Sequence, residues 1–103
     1  MEKIIFTRQV ESQLEELVMK LYYNDYFGFL VDANNYVHNI KNFIETIPTL
    51  KPRFTLNKEY GTFYCKYKHN YKTTWYIGFD REDDIYLIKF ITNNHSAEYP
   101  KLF

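Results

Sequence analysis

Lys66 and Lys68 stand two positions apart in the run Tyr64-Cys65-Lys66-Tyr67-Lys68. The residues around them alternate in the manner of a β-strand, whose side chains point to opposite faces in turn, so both ammonium groups project from one face. The pair carries two positive charges to whatever that face meets. It equally reads as a solvated face whose charge keeps a sheet edge from aggregating. His95 is the one residue near the C-terminal end whose unperturbed pKa lies close to neutrality, which makes it a natural acid or base, although an exposed turn histidine fits the same position. His69 sits in a hairpin turn beside Lys68, Tyr71 and Lys72, where a contact to RNA is conceivable. His38 falls beside the apolar stripe of a helix and is expected to be exposed. Cys65 is the only cysteine; on an alternating apolar strand it reads as a buried thiol, and no neighbouring base is visible to activate it. The run Asp80-Arg81-Glu82-Asp83-Asp84 lacks the ligand spacing and the glycine of a calcium loop and reads as a solvated turn. Three scattered histidines and one cysteine make no metal-ligand spacing, and no glycine-rich phosphate loop is present, so no cofactor is expected.

The chain that must position these groups has 103 residues, enough for a single domain over 1–103. Apolar residues make up 46% of it, and a domain of this size buries roughly 60–70% of its unfolded surface, so a core without disulfides or metals suffices. Aromatic residues are 20% of the chain, with 11 Tyr and 9 Phe; some are expected either to line a groove or interface or to clothe a Tyr-rich sheet. A formal net charge of zero argues against a general nucleic-acid binder but leaves room for a local basic patch. The lone cysteine argues against a secreted, disulfide-stapled scaffold. Neither a leader-like N-terminus nor an apolar run of roughly 18 residues is seen, so a cytoplasmic protein without a membrane partner is expected.

Period and punctuation divide the chain further. Residues 3–6 read as a short strand, and Thr7 as the cap of a first helix over about 8–23 with its stripe at Val10, Leu14, Leu17, Val18 and Leu21. Asn24-Asp25-Tyr26-Phe27-Gly28 reads as a turn. A second helix follows on Phe29, Ala33, Tyr36, Val37, Ile40, Phe43, Ile44 and Ile47, and Pro48 ends it. The stretch 49–60 is irregular. Beyond Gly61 the period becomes two: one strand over about 63–68, a second over about 73–79, the charged turn 80–84, and a third over about 85–91, apolar enough to be buried on both faces. The order is β-α-α-β-β-β. It predicts an α+β fold: a short N-terminal strand, a helical hairpin, and a three-stranded antiparallel meander with the helices on one sheet face. The other face would be partly open and could carry a functional surface.

This order, together with the Ile47-Pro48 helix end, the Lys66-x-Lys68 strand and the terminal run Ile91-Thr92-Asn93-Asn94-His95-Ser96-Ala97-Glu98-Tyr99, resembles the RelE/ParE family of toxins from type II toxin–antitoxin systems. The resemblance covers nearly the whole chain in order and spacing. It implies a toxin held by a cognate antitoxin whose extended segment folds on binding. Tyr22, Tyr23, Tyr26 and the Leu102-Phe103 end would serve as docking surface.

By the same resemblance the activity is ribosome-dependent cleavage of messenger RNA, a metal-independent endoribonuclease reaction that inhibits translation and arrests growth. Such a site needs a group to deprotonate the ribose 2′-hydroxyl, cations for the crowded phosphate charge, and an acid for the leaving oxygen. Lys66 and Lys68 would be the cations, with either able to assist proton transfer, His95 an acid or base, and Tyr99 a stacking or proton-transfer residue. Tyr99 also fits a ring packed on the sheet to hold the tail down. Arg53, His69 and Lys72 would bind the RNA. Thr74 stands at about the place where the ribonucleases carry an arginine, so two alternatives remain beside this one: a ParE-like inhibitor of DNA gyrase, and a non-catalytic interaction module of the same fold.

Overall fold

The computed structural model describes residues 2–23 and 30–96. The expected turn at 24–28, Phe29, and the tail from 97 on, with Tyr99 and the Leu102-Phe103 end, lie outside the described residues.

Strand β1 (Lys3–Phe6) leads into helix α1 (Arg8–Tyr23), as the sequence predicts. Thr7 caps the helix: its Oγ1 accepts the Val10 N–H at 3.3 Å and its carbonyl accepts the Glu11 N–H at 3.0 Å. Helix α2 (Leu30–Glu45) buries Ala33, Val37, Ile40 and Ile44 on one stripe. It stops two residues earlier than its apolar series, because Pro48 cannot donate to a further helical turn and Ile47–Thr49 tightens into a 3-10 turn instead.

The expected three-stranded meander is the middle of a larger sheet. Strands β2 (Arg53–Phe54), β3 (Phe63–Lys68), β4 (Thr74–Glu82) and β5 (Ile85–Asn93) join β1 in a five-stranded mixed sheet of order β1-β5-β4-β3-β2. Neighbours are antiparallel except for β1 and β5, which are parallel. β2 is two residues long, too short to show a period, and forms within the stretch that reads as irregular because it finds a partner in β3. The expected charged turn at 80–84 is likewise mostly strand. β4 continues to Glu82, and only Asp83 and Asp84 turn, Asp83 with a left-handed φ of 53°.

Both helices lie on one face. Val10, Leu14, Val37, Ile40, Ile44 and Ile47 meet Cys65, Trp75, Ile77, Phe79, Ile88 and Ile91 in one core. Ile88 and Ile91 share this face although they are three apart. A bulge makes that possible: Phe79 pairs with Ile88 and Gly78 with Phe90, so Lys89 is an extra residue on the other side.

The helix-free face is not simply open. Residues 55–62 fold back across it as a strap, with Tyr60 stacked on Phe90 at a ring separation of 4.0 Å beside the buried Tyr64 and Tyr76. Asp80 fastens the strap. Its Oδ1 accepts the Thr62 N–H at 2.8 Å and the Thr62 hydroxyl at 2.9 Å, while Lys89 Nζ lies 3.2 Å from its Oδ2. Thr55 closes the strap from within, its hydroxyl donating to the Gly61 carbonyl. Partial desolvation raises the Asp80 pKa, but the Thr62 donors and the Lys89 ammonium outweigh it and hold the carboxyl below its ordinary 3.8. A carboxyl depressed on folding adds stability above its unfolded pKa and loses it as the pH falls through the folded one. Urea midpoints measured from about pH 6 down to about pH 3 should therefore fall further for the wild type than for Asp80→Asn. Parallel curves would remove the charge from this role.

Candidate functional site

The zero net charge conceals a strong segregation. Between residues 51 and 72 the sequence has six cations (Lys51, Arg53, Lys58, Lys66, Lys68 and Lys72) against a single acid, Glu59. The acids gather elsewhere, at Glu11, Glu15 and Glu16 on α1 and at 80–84. The sheet register converts this bias into geometry. Lys66 pairs across strands with Tyr76, Lys68 with Thr74, and Arg53 with Tyr64. Residues opposite one another in antiparallel strands share a face, and i and i+2 do so along a strand, so Arg53, Lys66 and Lys68 all project from the helix-free face. All three are exposed, and neither lysine forms an ion pair among the described residues.

A depression of about 260 Å³ opens between β2 and β3, lined by Leu50, Lys51, Arg53, Tyr64, Cys65 and Lys66. Three of these six side chains are cationic and none is acidic. Such a concavity favours an anion over any other small group, since unpaired like charges repel until a counter-charge enters.

The other expected groups are distributed around one end of the sheet. His95 is exposed, with its Nε2 3.2 Å from the Thr73 hydroxyl and its backbone N–H donating to Asn93 Oδ1 at 2.9 Å. It therefore sits at the same end as Lys68, whose strand partner Thr74 donates its N–H to Asn94 Oδ1 at 3.0 Å. Lys72 is exposed on the β3–β4 loop with its Nζ 5.4 Å from the Tyr71 ring centroid. His69 turns away from the lysines. Its ring packs on Tyr36 at 4.2 Å and meets Tyr67 at 6.1 Å, on the helix side of the sheet, with its Nδ1 buried and without a hydrogen-bond partner. It anchors the hairpin rather than facing solvent. His38 is exposed on α2.

Two groups, the half-buried Tyr36 and the buried Cys65, have settled protonation states. Desolvation raises the Tyr36 pKa against the hydrogen bond donated by Trp75 Nε1 at 3.0 Å, so Tyr36 stays a neutral phenol that accepts from the indole. Burial pushes the Cys65 thiol up from 9.0 to about 11. Cys65 is thus the inert core thiol expected from its strand. In the native protein at about pH 8 it should react with a disulfide reagent about 100-fold more slowly than in urea, the ratio of thiolate fractions. Equal rates would mean that the β3 environment opens freely.

The placement of Arg53, though not its candidacy, and the exposure of Tyr71 escaped the pattern of the sequence. Arg53 gains its place beside the lysines only through the two-residue β2. Tyr71 is 83% exposed at the hairpin tip, and the one available signal was an aromatic residue inside a polar turn, where no core can reach it. Among the described residues no helix is long and apolar enough to cross a membrane. Comparison of the chain with protein-family models, with curated proteins and with solved structures finds no match.

Proposed function

We propose that the chain is a toxin of the RelE/ParE type that cuts messenger RNA at the ribosome. The observation that carries this reading is the convergence of Arg53, Lys66 and Lys68 on one exposed part of the helix-free face, beside a depression lined by no acid. Attack of a ribose 2′-oxygen on the neighbouring phosphorus forms a cyclic phosphate and breaks the bond to the 5′-oxygen. Negative charge accumulates on the phosphoryl oxygens as this happens, and fixed cations aimed at them lower the barrier. Lys66 and Lys68 supply that charge in this scheme. His95, at the same end of the sheet, takes or returns the proton.

The partner side of the proposal is a cognate antitoxin. Tyr23, Phe54 and Leu56 are 71%, 73% and 78% exposed, and Phe54 lies on the edge strand β2. An extended apolar segment with acidic residues would cover this edge and neutralise Lys51 and Arg53 beside it.

The test is a map of messenger RNA 5′ ends in a cell-free translation reaction with and without the purified protein. New ends that require translating ribosomes support the reading. Intact messages from folded protein overturn it and turn the search to DNA gyrase.

A further inference from the structure

We infer that Tyr71 is a stacking platform for an unpaired base of single-stranded RNA, with Lys72 meeting the adjoining phosphate. The inference deepens the proposed function and rests on it, since it extends the same nucleic-acid surface from Lys66 and Lys68 onto the hairpin tip. A buried aromatic ring stabilises a fold, and Tyr71, at 83% exposure, gives up nearly all of that contribution. The exposure does not come from a loose loop. Asn70 Oδ1 accepts the N–H groups of both Lys72 and Thr73 at 2.9 Å, and the Thr73 carbonyl accepts from His69 and Asn70. Asn94 Nδ2 reaches over from the end of β5 to the Lys72 carbonyl at 3.0 Å. The His69 ring is wedged against Tyr36 beneath the tip.

The tip is thus pinned from the hairpin, from β5 and from α2, and what it holds out is one ring with an ammonium 5.4 Å from its centroid. Aromatic rings interleaved with cations are what single-stranded nucleic acid binds, because every base has a π-face and every linkage a charge. A protein partner would not need the cation at the ring, and a duplex has no unpaired base to offer. Lys68, on the strand that feeds the tip, continues the charge toward Lys66.

Fluorescence anisotropy of a labelled single-stranded RNA oligonucleotide at low salt, titrated with the full chain, tests this. Tyr71→Ala should weaken binding about 5- to 140-fold, equivalent to about 1–3 kcal/mol for one stacked base, with the salt dependence unchanged. Tyr71→Phe keeps the ring and should bind as the wild type. Binding of the same sequence as a duplex should not respond to either change. Because the ring is exposed, both variants should melt with the wild type, and a lowered melting temperature would overturn the stacking role in favour of a structural one. Wild-type binding by Tyr71→Ala overturns the inference, and so does equal weakening by Tyr71→Phe. If the translation reaction yields cuts while the oligonucleotide does not bind, the tip is refuted and the cleavage reading survives. If the oligonucleotide binds through Tyr71 and no message is cut, the reverse holds.

Discussion

Replacing Lys66 and Lys68 together by alanine should reduce ribosome-dependent cleavage by at least about 100-fold and leave the fold intact. Removal of one preorganised group that faces developing charge costs about 10²–10³ in rate in well-studied enzymes, and here two such groups share a face. Both side chains are exposed and make no ion pair among the described residues, so their removal exposes no buried partner. Surface changes of this kind stay within about 0.5 kcal/mol, or a few degrees of melting temperature for a domain of this size. The double arginine variant divides the roles. If the lysines act only as fixed charge, Lys66→Arg with Lys68→Arg keeps most of the activity. If either ammonium gives up a proton in the reaction, arginine cannot replace it, because its guanidinium does not deprotonate. Full activity in the double alanine variant would remove this face from the reaction altogether.

The parts of the molecule legible in the sequence were those built from local periodicity. Thr7 as cap, the α1 stripe and the alternation at 63–68 all act within a few residues, and the structure has each of them where the residues put it; the Pro48 break is legible too, although α2 ends two residues before its expected apolar series does. What was not legible is non-local. The parallel pairing of Lys3–Phe6 with β5 joins residues about eighty positions apart, and nothing in either segment names its neighbour. β2 exists because β3 lies beside it. The run 80–84 looked like a turn because it is charged, yet β4 carries three of those residues as an exposed strand end. The candidate site followed the same division: the shared face of Lys66 and Lys68 comes from strand alternation alone, whereas the arrival of Arg53 and the departure of His69 depend on which strands and helices meet.

Gly78→Ala should be the most damaging single change on the helix-free face, at about 3 kcal/mol. A Cβ built at Gly78 falls 1.9 Å from the Tyr60 carbonyl oxygen, a backbone atom that no rotamer change can move aside. The strap must lift. In lifting it breaks the Tyr60–Phe90 stack and strains the Thr62–Asp80 hydrogen bonds. Overpacking costs about 1–3 kcal/mol and the lost aromatic pair about 0.5–1.5 kcal/mol more. For a domain of this size that corresponds to a melting temperature lowered by about 12–24 °C in calorimetry. The helix-side core is untouched, so helical circular dichroism below the transition should match the wild type. The cationic surface should respond, because the strap continues directly from β2, and a strap that swings out carries Arg53 away from Lys66. A variant that melts low yet binds single-stranded RNA as tightly as the wild type would show that Lys66 and Lys68 hold the nucleic acid without Arg53. A melting temperature unchanged by the substitution would mean that the strap is not seated on Gly78, and the closed half of the sheet face would then be open for a ligand as well.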